Sequence, residues 1–263
     1  MFLLMGGKSW ATLSLVKPGN PSSAIGHAKS NEAQVLVSQK TKSRAPEPTT
    51  LALMGSGLLS MLMSFLRKTY AIAKRIFDIV ASILGLILLS PVIVLAALLV
   101  KIASPGPVLF KQIRVGKNGG HFEIYKFRTM RVDAEKETGP VWAFKNDSRL
   151  IPAGKFLRKS RIDEIPQFIN VLRGEMSIVG PRPERPVFVE KFIKEIPDYE
   201  RRLMVKPGIT GLAQVRHKYD ETIEDVKTKI KYDLLYIKKL CFWTDLGILF
   251  RTVRVVLTGA GAR

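Results

Sequence analysis

Residues 160–184 read SRIDEIPQFINVLRGEMSIVGPRPE. Adjacent carboxylates, Asp163 and Glu164, are followed by Pro166, an apolar-periodic run and the stretch Gly180-Pro181-Arg182-Pro183-Glu184. Neighbours on a helix point about 100° apart, so both carboxylates cannot face one atom from mid-helix. Proline is tolerated only near a helix start, which places the pair in the first turn or just before it. There the helix dipole and free N–H groups favour anions, and a carboxylate of depressed pKa is ionised and available as a nucleophile or a Mg²⁺ ligand. With Arg161 and Arg182 on either side, the block holds what phosphoryl chemistry needs: a nucleophile or metal ligand, a base, and cations for phosphate oxygens. An Asp-Glu pair by itself is also ordinary first-turn acidic bias.

Upstream, residues 76–102 are apolar and broken in the middle by Ser90-Pro91. Pro91 has no N–H and leaves the Ile87 carbonyl without its helical donor; the Ser90 hydroxyl could satisfy a freed backbone group. Each arm is ~20 Å long, enough to reach the middle of a bilayer but not to cross it. Arg67, Lys68, Lys74 and Arg75 precede the segment, and Lys101, Lys111, Arg114 and Lys117 follow it. Cytoplasmic flanks are the basic ones, so basic residues on both sides suit a re-entrant pair over 74–103 that begins and ends on one face. The plainer alternative is a transmembrane helix kinked at Pro91.

Residues 1–49 are rich in Ser, Gly, Pro and Lys without sustained period and read as a poorly ordered leader. Residues 50–68 read as an anchor helix; Thr50–Leu66 would span ~26 Å, slightly short of a hydrocarbon core of ~30 Å. The order Pro46-Glu47-Pro48, apolar helix, Arg67-Lys68 resembles the PEP-CTERM sorting tail of exopolysaccharide-producing bacteria. That tail normally ends a protein and here lies near the beginning. It reads as a fusion, as a plain anchor, or as translation upstream of a start at Met61 or Met63.

Pro107–Val115 and Phe122–Thr129 alternate around Lys117-Asn118-Gly119-Gly120, a hairpin pattern. Alternation puts Lys126 and Arg128 on one face, where two cations could hold a diphosphate or form a solvated surface. From Pro152 the chain reads as mostly helical, with loops at Gly180–Arg185 and Lys206–Gly211. Thr222–Leu240 spaces Ile223, Val226, Ile230, Leu234 and Ile237 three or four apart, with Lys227, Lys229 and Lys231 largely off that stripe. Phe242–Leu257 mixes Trp243, Leu246 and Leu249 with Arg251 and Arg254. These helices suit either a membrane interface or a core with basic outer faces.

A formal charge of +20 over 263 residues favours a polyanion: nucleic acid, anionic lipid or nucleotide. The single cysteine, Cys241, excludes an internal disulfide, and His27, His121 and His217 show no metal-ligand spacing.

Taken together, KRIFDIVAS (74–82), Ser90-Pro91, SPGPVLFKQIRVG (104–116), KFRTM (126–130), residues 160–184 and KPGITGLAQV (206–215) resemble the bacterial sugar transferase family, the monotopic phosphoglycosyl transferases. The resemblance covers Lys74 to about Val256, and within the family it is closest to the short forms. It implies an α+β, membrane-associated monotopic fold: a re-entrant helix–break–helix, a small β-hairpin, amphipathic interfacial helices, and a cytoplasmic transferase domain over 104–263 at the bacterial inner membrane. It implies transfer of a sugar 1-phosphate from a UDP-sugar to undecaprenyl phosphate, with release of UMP and Mg²⁺ as cofactor. Asp163 becomes nucleophile and metal ligand, Glu164 its partner, and Lys126, Arg128, Arg161 and Arg182 the phosphate-binding cations. Anionic lipid is an expected partner, and sparse aromatics argue against nucleic acid. Two readings compete: a basic membrane- or nucleic-acid-binding protein without catalysis, and a nucleotide-sugar pyrophosphate hydrolase. The sugar and the oligomeric state are left open.

Overall fold

The computed structural model describes residues 48–136, 139, 141, 147–217 and 222–258. Within it the Ser90 hydroxyl donates to the Ile87 carbonyl at 2.8 Å, replacing the donor that Pro91 lacks. Helix α1 (Pro48–Leu88) ends at that point, α2 (Ser90–Ala103) begins, and their axes bend by 63°. No single described helix is long and apolar enough to cross a membrane; the bent pair together is, by length and composition.

The anchor and the first arm, separate in the sequence reading, form one helix here. No glycine or proline lies between Arg67 and Ile76, so nothing in the chain stops α1 at Lys68. The chain divides into two units, Met1–Leu51 and Ala52–Arg263. The leader expected over 1–49 lies outside the described residues apart from Pro48 and Thr49, which open α1.

Strands β1 (Leu109–Val115) and β2 (His121–Phe127) pair antiparallel from Leu109↔Phe127 to Val115↔His121. The turn between them carries Asn118 at φ 56° and Gly119 at φ 79°, the left-handed conformations for which Asn and Gly are suited.

The chain beyond Pro152 holds two strands that the mostly helical reading lacks. Strands β3 (Ser177–Val179) and β4 (Gly208–Thr210) pair parallel, and the pairing extends by Gly180 N–H to the Thr210 carbonyl (2.8 Å) and Gly208 N–H to the Pro181 carbonyl (2.9 Å). The backbones approach so closely that a Cβ at Gly208 would fall on the Gly180 amide. KPGITG and GPRP are therefore two halves of one contact.

Helix α3 (Gly154–Lys159) packs Leu157 with Phe127, Ile151, and Ala96 and Val100 of α2. A one-turn 3₁₀ helix, Ile162–Glu164, follows, and then α4 (Gln167–Arg173). The Asn170 side chain ties α4 to β2, accepting from Tyr125 N–H (3.0 Å) and donating to the Glu123 carbonyl (2.6 Å). From α1, Arg75 donates to the Val171 and Leu172 carbonyls at the end of α4 (2.6 and 2.9 Å), and Asp78 accepts from Ile178 N–H of β3 (3.0 Å). Helix α1 is thus bonded to both α4 and β3.

Helix α5 (Pro186–Glu195) buries Val189 and Phe192 with Tyr199, Val115, Val226 and Ile230. A short helix, α6 (Leu212–Arg216), leads to α7 (Ile223–Lys238), which opens on a Thr222–Asp225 capping box. Helix α7 is a core helix: it buries Val226, Ile230 and Tyr236, and with them Lys229 and Asp233. Lys229, read as off the apolar stripe, points inward because the half-buried Glu184 carboxylate receives it. Helix α8 (Phe242–Thr258) buries Ile248 but leaves Trp243, Phe250 and Val253 exposed, so the interfacial pattern survives there alone of the two.

Candidate active site

Asp163 and Glu164 lie in the 3₁₀ turn just before Pro166, where the proline placed them, and both are buried. Arg161 enters the turn at φ 59°, a left-handed conformation that costs a non-glycine residue on the order of 1 kcal/mol and persists where the surroundings impose it. The tight turn splays the two side chains into different surroundings.

Glu164 Oε1 accepts from Lys126 Nζ of β2 (2.9 Å) and Arg182 Nη2 (2.6 Å), while Arg182 Nη1 lies 3.5 Å from Oε2. Burial by itself would raise this carboxyl, but Arg182 and Lys126 outweigh it and hold Glu164 well below the usual carboxylate range. Asp163 has no such partner. Its Oδ1 is buried without a hydrogen-bond partner among the described residues. Burial, and next the neighbouring Glu164 charge, push Asp163 up to about 6, against the pull of Lys126, Arg158 and Arg182. The depressed carboxylate expected of the pair is Glu164; Asp163 departs in the opposite direction.

Behind Arg182 stands a second charged layer. Arg202 Nη2 donates to the Arg182 carbonyl (2.7 Å), and Arg114 Nη1 to that of Pro183 (3.0 Å). Arg202 is held in turn by Asp233 (3.0 Å) and the Tyr199 hydroxyl (3.0 Å). Glu184 accepts from Lys229 (2.5 Å) and faces Arg114 at 3.9 Å. Burial opposes ionisation of Glu184, yet Lys229, Arg202 and Arg114 together bring it down to about 2. The loop carrying Arg182 is therefore fixed before any ligand arrives.

The dyad opens onto a cavity of about 860 Å³ lined by eleven Lys and Arg side chains and four carboxylates, a balance that suits a polyanionic ligand. Lys126, Arg128, Arg161 and Arg182 all line it. Arg128 lies one residue beyond β2, and its guanidinium donates to the carbonyls of Ser104 (2.8 Å) and Pro105 (2.8 Å) and to the Ser104 hydroxyl (3.2 Å), tying the end of α2 to the site. Arg158 was not legible in the sequence. It lies on α3, donates to the Thr129 hydroxyl (2.9 Å), lines the cavity and attracts Asp163. Nor were Arg114, Glu184, Lys229, Arg202 and Asp233 legible as one network, since they come from four separate parts of the chain, with Lys229 and Asp233 alone sharing a helix.

No group of three or more His, Cys, Asp or Glu side chains among the described residues could hold a metal ion. The orphaned Asp163 oxygen fits a different arrangement, in which Mg²⁺ takes one carboxylate and draws its remaining oxygens from water and a substrate diphosphate.

Residues 69–259 match the family described as bacterial sugar transferase, and residues 44–68 match the PEP-CTERM protein-sorting motif. The chain is 49% identical over 194 residues to the UDP-N-acetylgalactosamine-undecaprenyl-phosphate N-acetylgalactosaminephosphotransferase of Aeromonas hydrophila, covering 74% of this chain and 46% of that protein. It is 47% identical over 182 residues to the UDP-glucose:undecaprenyl-phosphate glucose-1-phosphate transferase of Klebsiella pneumoniae, covering 68% of this chain and 39% of the relative. With the exopolysaccharide production protein PSS of Rhizobium leguminosarum it shares 41% identity over 195 residues, 71% of this chain and 96% of that one. The chain thus matches less than half the length of the first two relatives and nearly all of the third.

Proposed function

The chain belongs to the bacterial sugar transferase family, and from that membership and the polarised dyad we propose that it transfers a sugar 1-phosphate from a UDP-sugar to undecaprenyl phosphate, releasing UMP. The transfer would begin the assembly of an exopolysaccharide or another surface glycan.

The reaction proceeds in two displacements at one phosphorus. An Asp163 carboxylate oxygen attacks the β-phosphorus of the UDP-sugar; the bond to the bridging oxygen breaks, and UMP leaves with that oxygen and its electron pair. An oxygen of undecaprenyl phosphate then attacks the same phosphorus, and the aspartyl–phosphorus bond breaks to restore the carboxylate. Covalent passage divides one difficult transfer into two easier ones. Lys126, Arg158, Arg161 and Arg182 neutralise charge on the transferring phosphoryl group. Glu164 holds Lys126 and Arg182 in place. Mg²⁺, when bound, would be held by Asp163 with diphosphate oxygens and would supply further neutralisation.

One feature of the dyad supports this most: Asp163 Oδ1 is buried among cations with no hydrogen-bond partner among the described residues, while Glu164 beside it is saturated. A structural carboxylate would be paired; a nucleophile needs an open lone pair. The purified protein with undecaprenyl phosphate and a panel of UDP-sugars, glucose and N-acetylgalactosamine among them, should release UMP only when sugar and lipid match its needs. Steady UMP release without lipid would favour a pyrophosphate hydrolase.

We further propose that α1 and α2 form a re-entrant pair in one leaflet, with the catalytic unit facing the cytoplasm. The bend, the Ser90–Ile87 bond and the basic flanks support it. Cysteines introduced at Ile72 and Ser104 should label from the same side of the membrane; labelling from opposite sides would leave a kinked spanning helix.

A further inference from the structure

Strand β1 places a large apolar side chain beside the charged dyad. Phe110 lies directly opposite Lys126 in the β1–β2 register. Opposite residues of an antiparallel pair share one face, with Cβ atoms about 5 Å apart. Lys126 bonds Glu164 from that face, and Phe110 lines the same cavity together with Pro107 and Val132. Phe110 is 41% exposed and Val132 62%, and among the described residues neither belongs to a hydrophobic core cluster. The other phenylalanines of the lining are occupied: Phe127 is buried in a core cluster, and Phe188 stacks on Phe192.

This apolar strip continues from α2, whose Val94, Leu95, Leu98 and Ile102 are exposed. From Ile102 to Phe110, between Lys101 and Lys111, the chain carries no charged side chain. Gly106 turns within that stretch at φ 114°, and a Cβ on it would lie 3.0 Å from Val132 and 3.2 Å from the Arg128 guanidinium. The turn sets Val132 against the exit of α2, so an uncharged path leads from an apolar helix to Lys126. Apolar surface inside a cationic cavity gains free energy when an apolar ligand covers it. A polyprenyl phosphate has that order of chemistry, hydrocarbon first and then a phosphate. Uracil carries N–H and C=O groups around its edge that need partners, and the side chains of Pro107, Phe110 and Val132 offer none. We propose that Phe110, with Pro107 and Val132, seats the first isoprene units of the acceptor lipid and so brings its phosphate beside Lys126, in reach of the phosphorus carried by Asp163. The proposal rests on the transfer reaction proposed above and adds the residues that select its lipid.

The test uses the full chain in detergent micelles with undecaprenyl phosphate and either UDP-glucose or UDP-N-acetylgalactosamine. In a two-displacement reaction, kcat/KM for each substrate reports its own half of the cycle. Phe110→Ala should lower kcat/KM for undecaprenyl phosphate about tenfold, as expected for losing one apolar side-chain contact. Its kcat/KM for the UDP-sugar, and its burst of UMP without lipid, should stay within about twofold of wild type. Val132→Ser should shift the same ratio about threefold, and Phe110→Leu should recover most of the loss. A fall in both kcat/KM values would put the nucleotide on this strip and overturn the proposal. An unchanged value for the lipid in Phe110→Ala and Val132→Ser would overturn it equally. Should Phe110→Ala not fold, Val132→Ser and Phe110→Leu decide by the same split. A wild-type protein that gives neither a lipid-free burst nor turnover with lipid would overturn the transfer reaction itself, and the role of the strip with it.

Discussion

The two walls of the site, one residue apart in sequence, are built on opposite principles. The Glu164 wall is an ion-pair lattice: Lys126 and Arg182 saturate the carboxylate, and Arg202, Asp233, Glu184 and Lys229 brace the loop behind. The Asp163 wall leaves a carboxylate oxygen buried and open, with Arg158 bonded to Thr129 rather than to Asp163. Full pairing holds one carboxylate ionised and rigid; incomplete pairing leaves the other strained and reactive. The rigid wall supplies the geometry that the reactive wall uses.

The largest effect should come from removing the open oxygen. Asp163→Asn is nearly isosteric and leaves the Glu164 pairs in place, so UMP release and covalent labelling by the UDP-sugar should fall by about a thousandfold or more while Tm holds or rises. Near-normal turnover in Asp163→Asn would break the comparison, because the nucleophile would lie elsewhere.

Glu164→Gln should damage both walls. Lys126 and Arg182 lose a buried counter-charge, which costs about 3 kcal/mol of stability, and their displacement should lower UMP release by about a hundredfold. A variant with normal Tm and normal rate would show the lattice to be dispensable.

A titration separates the walls. With Asp163 at about 6, the rate should fall as pH drops through that value, approaching tenfold per unit below it at about pH 5, because the protonated acid cannot attack. Glu164, held low, should stay ionised over that range. Stability runs in opposite senses. Asp163 binds its proton more tightly folded than its ordinary value of 3.8, so its contribution becomes more favourable as pH falls from 6 toward 3.8. Glu184, depressed from 4.5 to about 2, stabilises fully above 4.5 and loses that contribution as pH falls toward 2. A rate independent of pH between about 5 and 7 would contradict the open-oxygen reading.

The smallest effect is reserved for a region that touches neither wall. A chain beginning at Met63 keeps Arg75 and Asp78, the residues by which α1 grips α4 and β3. Its UMP rate per folded molecule should be nearly unchanged, and its retention on anionic vesicles should fall about two- to fivefold as apolar boundary surface is lost. Loss of activity in a folded, membrane-bound truncation would tie the leading helix to catalysis.

Local chemistry was legible in the residues themselves. Pro91 predicted an orphaned Ile87 carbonyl and Ser90 its replacement donor; Pro166 predicted where the dyad sits; Asn118-Gly119 predicted the hairpin turn. Each rests on backbone constraints spanning a few residues. The β3–β4 pair escaped because three-residue strands show no period, and their partners lie in distant parts of the chain. The inward turn of Lys229 escaped because a lysine between apolar positions reads as surface unless the Glu184 carboxylate opposite it is known.

The sequence by itself determined the positions of the breaks, turns and acid pair, because proline, glycine and asparagine restrict their own backbone. Only the tertiary structure decided which carboxylate is depressed and which raised. A pKa depends on burial and on charges a few ångströms away, and those charges come from β2, α3 and the loop before α5, brought to Asp163 and Glu164 by folding alone.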